Sequence, residues 1–415
     1  MASRRTLIFA PETFNLAEVT RTLEIAKVAR RSFDCVFTSY DGARRNHGFI
    51  ERAGFPVRAL DPVMTEEKIR RFWAVDRGEA LGDILSTEDL AGRVRSELAL
   101  YRELDPAAVI TGFCLSAPLS ARAARVPLVW LSQSTWLPEY ARRYATWPDA
   151  LDHRALRVVP DPIKDLAARL FTPQLARLLV RPFNRVARDL GLPPFRGHDL
   201  LESEHLLFCE APGFSGLPIP ARLAGHHCFV GPLIARLDVP IPEVVRDLPR
   251  DLPIIYFAMG SSGVEPVVKQ IVEGFAGKPY RVIAPVAALT RDGLRPPPNV
   301  IVTDWLPADQ VNPMAAVSVI HGGVGTVMTA CASGTPIVGI ANGLVEQEYN
   351  LDSVVRKGFA VRLRRERFTA ADVLGHIERF LHDERPRAAA QRYRDVLAAW
   401  DGPERSARYL EETFG

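Results

Sequence analysis

The sequence predicts an α/β protein made of two doubly wound domains, each a parallel sheet covered by helices on both faces. Three observations carry this expectation. Short runs rich in Val, Ile and Leu recur along the chain, and stretches of helical periodicity such as LAEVTRTLEIAKVARR and EPVVKQIVEGFAG separate many of them. Continuous apolar strands alternating with helices belong to parallel sheets buried on both sides. The series occurs twice in 415 residues, a length beyond one ordinary core.

In chain order, the first series is TLIFAP, DCVFTS, AAVITG, PLVWLS, LLFCE and CFVG. Residues 136–205 interrupt it with helices carrying broad apolar faces, either an insertion packed on its own core or a hydrophobic wall for a substrate. Five prolines within residues 231–253 break any periodicity and mark a stiff connection. We therefore expect a first domain over 1–235, a linker over 236–252 and a second domain over 253–398. The second series is PIIYFAMG, RVIAP, NVIVTDW, VSVIHGG, PIVGI and AVRL, and a helix over 399–415 is expected to return to the first domain.

Composition excludes several function classes. With 47% hydrophobic and 24% charged residues and a net charge of +3, the chain has no basic stripe, so no nucleic-acid partner is expected. No apolar run reaches the length of a bilayer span, and MASRRTLIFAPETF is too short in its apolar part for a signal peptide. A cytoplasmic protein without stable membrane insertion, monomeric or homodimeric, is the expectation. The five cysteines are scattered with no C-x-x-C pair, and the histidines form no H-E-x-x-H, so buried thiols and no metal site are expected.

The chemistry concentrates in HGGVGT, residues 321–326, which follows the apolar run VSVI and precedes VMTACAS. Strand, glycine turn and helix in that order offer close backbone approach and unpaired N–H groups to an anion such as a diphosphate. His321 and Thr326 can add side-chain hydrogen bonds. After the next strand come Glu346, Gln347 and Asn350, an acid and amides suited to adjacent sugar hydroxyls. Upstream, Trp305 could stack on a nucleobase, or simply pack.

W-L-P, H-G-G-V-G-T, G-T-P and E-Q-x-x-N in this order resemble the nucleotide-sugar signature of family 1 glycosyltransferases, UDP- or dTDP-sugar enzymes of the GT-B fold. FVGPL and YFAMGSSG also look like that family's lead-in and first donor-domain loop, and the resemblance covers residues 229–358. It implies two Rossmann-like domains facing across a deep cleft. It places Trp305, Leu306 and Thr329 at the base and ribose, and His321, Gly322, Gly323, Gly325, Thr326, Ser261 and Ser262 at the diphosphate. Glu346, Gln347 and Asn350 would serve the donor sugar. A nucleotide sugar and a small hydrophobic acceptor are the implied partners, with no cofactor or metal.

Two departures from the family matter. Thr329 stands where a ribose-binding glutamate is usual. The loop FAPETFNLAEVT lacks the usual catalytic histidine, and AVITGFCLSAP lacks its aspartate; Asn15 and Gly112 lie roughly there. An alcohol acceptor still needs a base, for which Glu12 is the candidate, with Glu18 as a second carboxylate. The acceptor is expected near Thr13, Phe14, Phe113, Ser134 and Trp136. A non-catalytic nucleotide-sugar-binding subunit and a UDP-sugar epimerase are the alternatives to transfer.

Overall fold

The structure, a computed structural model, describes residues 4–260, 264–290, 295–364 and 367–415. Its first half is a seven-stranded parallel sheet, ordered β3-β2-β1-β4-β5-β6-β7. The strands are β1 (Thr6–Phe9), β2 (Asp34–Asp41), β3 (Val57–Met64), β4 (Ala108–Thr111), β5 (Leu128–Ser132), β6 (His205–Phe208) and β7 (His227–Phe229). The second half is a six-stranded parallel sheet, ordered β10-β9-β8-β11-β12-β13. Its strands are β8 (Ile254–Ala258), β9 (Arg281–Ala284), β10 (Val300–Val302), β11 (Val317–Ile320), β12 (Ile337–Ile340) and β13 (Ala360–Leu363). The doubly wound α/β expectation holds in both halves.

The strand residues are apolar on both faces because both faces are covered. In β1, Leu7 and Phe9 enter one core while Ile8 enters the other, and all three are fully buried. One strand escaped the sequence reading. VRALDPVM forms β3 at the sheet edge, where alternating exposure and Pro62 are tolerated because one side of the strand has no ladder to complete.

Strand order fixes where ligands can sit. Each sheet reverses direction beside its first strand, between β1 and β4 in one and between β8 and β11 in the other. The loops leaving those four strands diverge and open a crevice at their carboxyl ends. The loop of HGGVGT leaves β11, and the loop of the opposing domain leaves β1.

The two halves are stitched beside this crevice. Thr135 Oγ1 donates to Asn350 Oδ1 at 3.2 Å, Tyr140 donates to the carbonyl of Tyr349 at 3.0 Å, and the Asp149 amide donates to Glu348 at 2.9 Å. The last helix, Gly402–Phe414, lies against the helix Leu16–Ala29, with an Arg31–Glu404 ion pair at 2.8 Å and a Ser32–Glu411 hydrogen bond at 2.6 Å.

The segment between β5 and β6 is helical but does not pack as an independent core. Within its longest helix, Asp161–Leu179, only Lys164 and Ala168 are buried. Lys164 is held by Asp152 at 2.8 Å and Asp161 at 2.7 Å.

Candidate active site

The turn after β11 owes its shape to glycine. Gly322 has φ of +92°, and a side chain there would come within 2.7 Å of the Gln347 carbonyl. At Gly323 a side chain would come within 2.6 Å of His321 Nε2, and at Gly260, on the facing loop after β8, it would overlap the same ring. Both glycines thus make room for the imidazole. A side chain at Gly325 would meet nothing among the described residues. That position faces the crevice, where open backbone suits close approach by a ligand.

The helix Val324–Ser333 starts at this turn with no side chain capping it, so its first N–H groups point toward the crevice. His321 is buried, and burial lowers its pKa to about 4, with the Ala258 carbonyl opposing the shift. The ring is therefore neutral near pH 7. Its Nδ1 lies 3.4 Å from that carbonyl, an acceptor that takes the ring proton on that side.

Two cavities meet at this turn. One, about 180 Å³, is walled by Tyr256, Trp305, Leu306, Thr326 and Thr329. The other, about 250 Å³, is walled by Trp73, Asp76, Phe113, Gln133, Trp136, Glu346 and Gln347. Ala17, Arg21, His321, Gly323 and Val324 line both. An elongated ligand could run from Trp305 past the glycine turn to Glu346.

At the Trp305 end the indole is 46% exposed, a large flat face open to stacking. Thr329 spends its hydroxyl on the Gly325 carbonyl at 2.8 Å. Asn312, which the sequence reading did not single out, also lines this cavity. Its Oδ1 accepts from Ser318 at 2.9 Å, while its buried Nδ2 has no partner among the described residues.

At the other end, burial raises Glu346 to a pKa of about 7, while Gln133 at 3.3 Å and Asn350 at 2.6 Å donate to its carboxylate. Asn350 also donates to the Gly322 carbonyl at 3.1 Å, so it ties the glycine turn to the helix Val345–Arg356. Gln347 accepts from the Asn342 amide at 2.8 Å. Ser261 and Ser262 lie outside the described residues.

The first-domain candidates divide. Phe113 and Trp136 form an aromatic wall, with ring centroids 6.1 Å apart. Thr13, Phe14 and Ser134 sit behind that wall. Thr13 is bonded to Ser39 at 2.5 Å, Phe14 is buried against Phe72 and Trp73, and Ser134 is held by Glu210 and by Ser215 at 2.7 Å. Asn15 faces the cavity, but its side chain caps the helix Leu16–Ala29 by accepting from the Ala17 amide at 3.1 Å.

Glu12 is not brought to either cavity. It is buried in an ion pair with the fully buried Arg93, whose guanidinium also lies over the Tyr40 ring at 4.0 Å. A carboxylate committed to a buried arginine is structural, and the expectation that Glu12 serves as the base is corrected on that ground. Glu12→Gln should cost about 3 to 5 kcal/mol of stability by leaving Arg93 without its counter-ion. Chemical denaturation would read this as a lower midpoint.

The carboxylates that do reach the second cavity are Glu18, Asp76 and Glu346. Glu18 is paired with Arg21, and its free oxygen lies against Gly112, where any side chain would overlap it. Thus Glu18 fills the space beside the position where the sequence lacks an aspartate. Asp76 ends the helix Glu66–Asp76 and makes no hydrogen bond or ion pair among the described residues. Burial raises its pKa to about 6, against the opposing charge of Arg77. Sequence reasoning missed Asp76 because an acid at the end of a helix following an edge strand carries no local signal.

Residues 279–413 match the family described as erythromycin biosynthesis protein CIII-like, C-terminal domain. A PGL/p-HBAD biosynthesis glycosyltransferase of Mycobacterium tuberculosis is 29% identical over 404 residues, covering 96% of this chain and 90% of that protein. The chain is a glycosyltransferase of the GT-B fold. The crystal structure of the glycotransferase of kitacinnamycin superposes on this glycosyltransferase with a TM-score of 0.70 at 19% identity, over 100% of both chains. The glycosyltransferase VinC, solved in complex with dTDP, gives 0.67 at 16% identity over 98% of this chain and 99% of that one. Among the described residues, no helix is long and apolar enough to cross a membrane.

Proposed function

We propose that this glycosyltransferase moves a sugar, with inversion, from a UDP- or dTDP-linked donor to a small hydrophobic acceptor. The reading is carried by the wall that the two cavities share. A diphosphate seated at Arg21, His321 and Gly323 would direct its nucleoside toward Trp305 and its sugar toward Glu346 and Gln347. VinC, of the same fold, was solved with dTDP bound.

Inversion requires attack from the side of the sugar opposite the diphosphate. Asp76, Trp73, Phe113 and Trp136 belong to the first domain, whereas the glycine turn belongs to the second. An acceptor lying on the aromatic wall would reach the anomeric carbon from the side opposite the departing diphosphate. One displacement from that side inverts the centre. The acceptor hydroxyl gives its proton to Asp76 as its oxygen bonds to carbon, and the glycosidic electron pair leaves with the diphosphate. The charge that develops there is met by Arg21 and the N–H groups opening the helix Val324–Ser333, with no metal assigned a role.

Calorimetric titration with UDP, dTDP and their sugars tests the donor assignment. A nucleotide diphosphate is expected to bind, and His321→Ala is expected to weaken that binding and abolish turnover. Because the ring is neutral with its proton on Nδ1, an arriving diphosphate should draw a proton onto Nε2. The binding heat should then depend on the buffer's ionisation heat, and that dependence should weaken in His321→Ala, leaving the part due to Asp76, Glu346 and the diphosphate itself. Unchanged nucleotide affinity in the variant would sink the phosphate assignment. Donor binding without transfer to any acceptor, and without donor hydrolysis, would favour a non-catalytic subunit instead.

A further inference from the structure

The helix Asp161–Leu179 presents an apolar face that nothing among the described residues covers. Ile163, Leu166, Leu170, Phe171, Leu175 and Leu178 are 48 to 66% exposed. Their spacings of three and four, 163-166-170 and 171-175-178, gather them along one helix. Scattered exposed leucines are ordinary, whereas this many on a single helix form a contiguous patch that marks an interaction surface.

Charge at the patch selects the occupant. Arg177, Arg181 and Arg188, at the end of this helix and along the next, Arg181–Asp189, are exposed and have no ion-pair partner among the described residues. Of the acids nearby, Asp161 is already engaged by Lys164 at 2.7 Å and Arg367 at 3.2 Å, and Asp165 by Arg364 at 3.9 Å, which leaves Asp189 at the far end of the second helix. An apolar helix face with an unpaired arginine border matches an anionic bilayer surface, where the side chains enter the acyl boundary and the cations meet headgroups. It suits a second copy of the chain less well, because each copy would bring the same unpaired arginines to the contact and no exposed acid but Asp189 to meet them.

We infer that this helix seats the glycosyltransferase on an anionic lipid bilayer. Its position relates docking to the cleft. The helix packs against Pro138–Tyr144, which begins two residues after Trp136 of the aromatic wall, and the Trp147 amide donates to Asp165 on the helix at 2.8 Å. Docking would therefore hold the acceptor wall close to a membrane in which a hydrophobic acceptor dissolves. The docking surface stands on the exposed face and its arginine border and is independent of the donor assignment.

Flotation of the full chain with unilamellar vesicles tests the inference. The protein should float with vesicles of equal parts phosphatidylglycerol and phosphatidylcholine, and far less with phosphatidylcholine alone. Leu170→Glu/Phe171→Glu should abolish flotation, and Arg177→Glu/Arg181→Glu should lower partitioning by about thirtyfold or more, since each surface cation contributes roughly fivefold. All four positions are exposed, so folding and nucleotide binding should persist in both variants. Failure of the wild-type protein to float, equal flotation by the apolar variant, or a solution dimer that the apolar variant dissociates would overturn the inference.

Discussion

Asp76→Asn should lower kcat by about 10²–10⁴-fold, the usual contribution of a positioned general base, while leaving nucleotide affinity nearly unchanged. The pH profile separates this from a loss of shape. With a pKa of about 6, raised by burial, the wild-type carboxyl holds its proton below that pH and cannot accept another. Activity should therefore rise with pH through about 6 and level off above it. Asparagine has no such titration, so the residual activity of the variant should lose that limb. Glu346, at about 7, titrates nearby, but it lines the proposed sugar end together with Gln347. Glu346→Gln should therefore act chiefly on donor KM. If Asp76→Asn retained wild-type kcat, or lost nucleotide binding in proportion to rate, the assignment of Asp76 would fail and Glu18 would be the carboxylate to examine.

The contrast between Glu12 and Asp76 indicates how far sequence carries. Among the described residues, twelve of thirteen strands lie in the apolar runs read from the sequence, because a strand buried on both faces must be apolar throughout. The exception, β3, is an edge strand whose mixed composition resembles a loop. The glycine turn was legible for a similar reason, since its backbone has few sequence solutions: Gly322 needs positive φ, and Gly323 must clear the imidazole. Side-chain partnerships across the fold are not local. Glu12 stands in the loop after β1, as a base would, yet Arg93, 81 positions away, claims it. Asp76 and Arg21 meet the cleft only through the packing of separate helices. The apolar insertion was legible as helix, but its periodicity could not tell whether the face would be covered.

Arg21→Met should have the second largest effect, and it should divide into a stability part and a catalytic part. Arg21 lines both cavities, is nearly buried, and pairs with Glu18, yet its Nε and Nη1 have no partner in the protein among the described residues. Buried guanidinium N–H groups left unmatched are costly, and a diphosphate at the shared wall would satisfy them. Arginine remains charged there at any working pH, unlike the neutral ring of His321. It is thus the fixed positive charge facing the proposed leaving group. Its removal should lower kcat by about 10²–10³-fold, in the range for loss of one preorganised donor to developing charge. The same substitution strands the carboxylate of Glu18, and breaking a buried pair from one side costs about 3 to 5 kcal/mol. Glu18→Gln/Arg21→Met removes both charges, so stability should largely return while turnover should not. If the double variant regained turnover along with its unfolding midpoint, Arg21 would be a partner for Glu18 and nothing more.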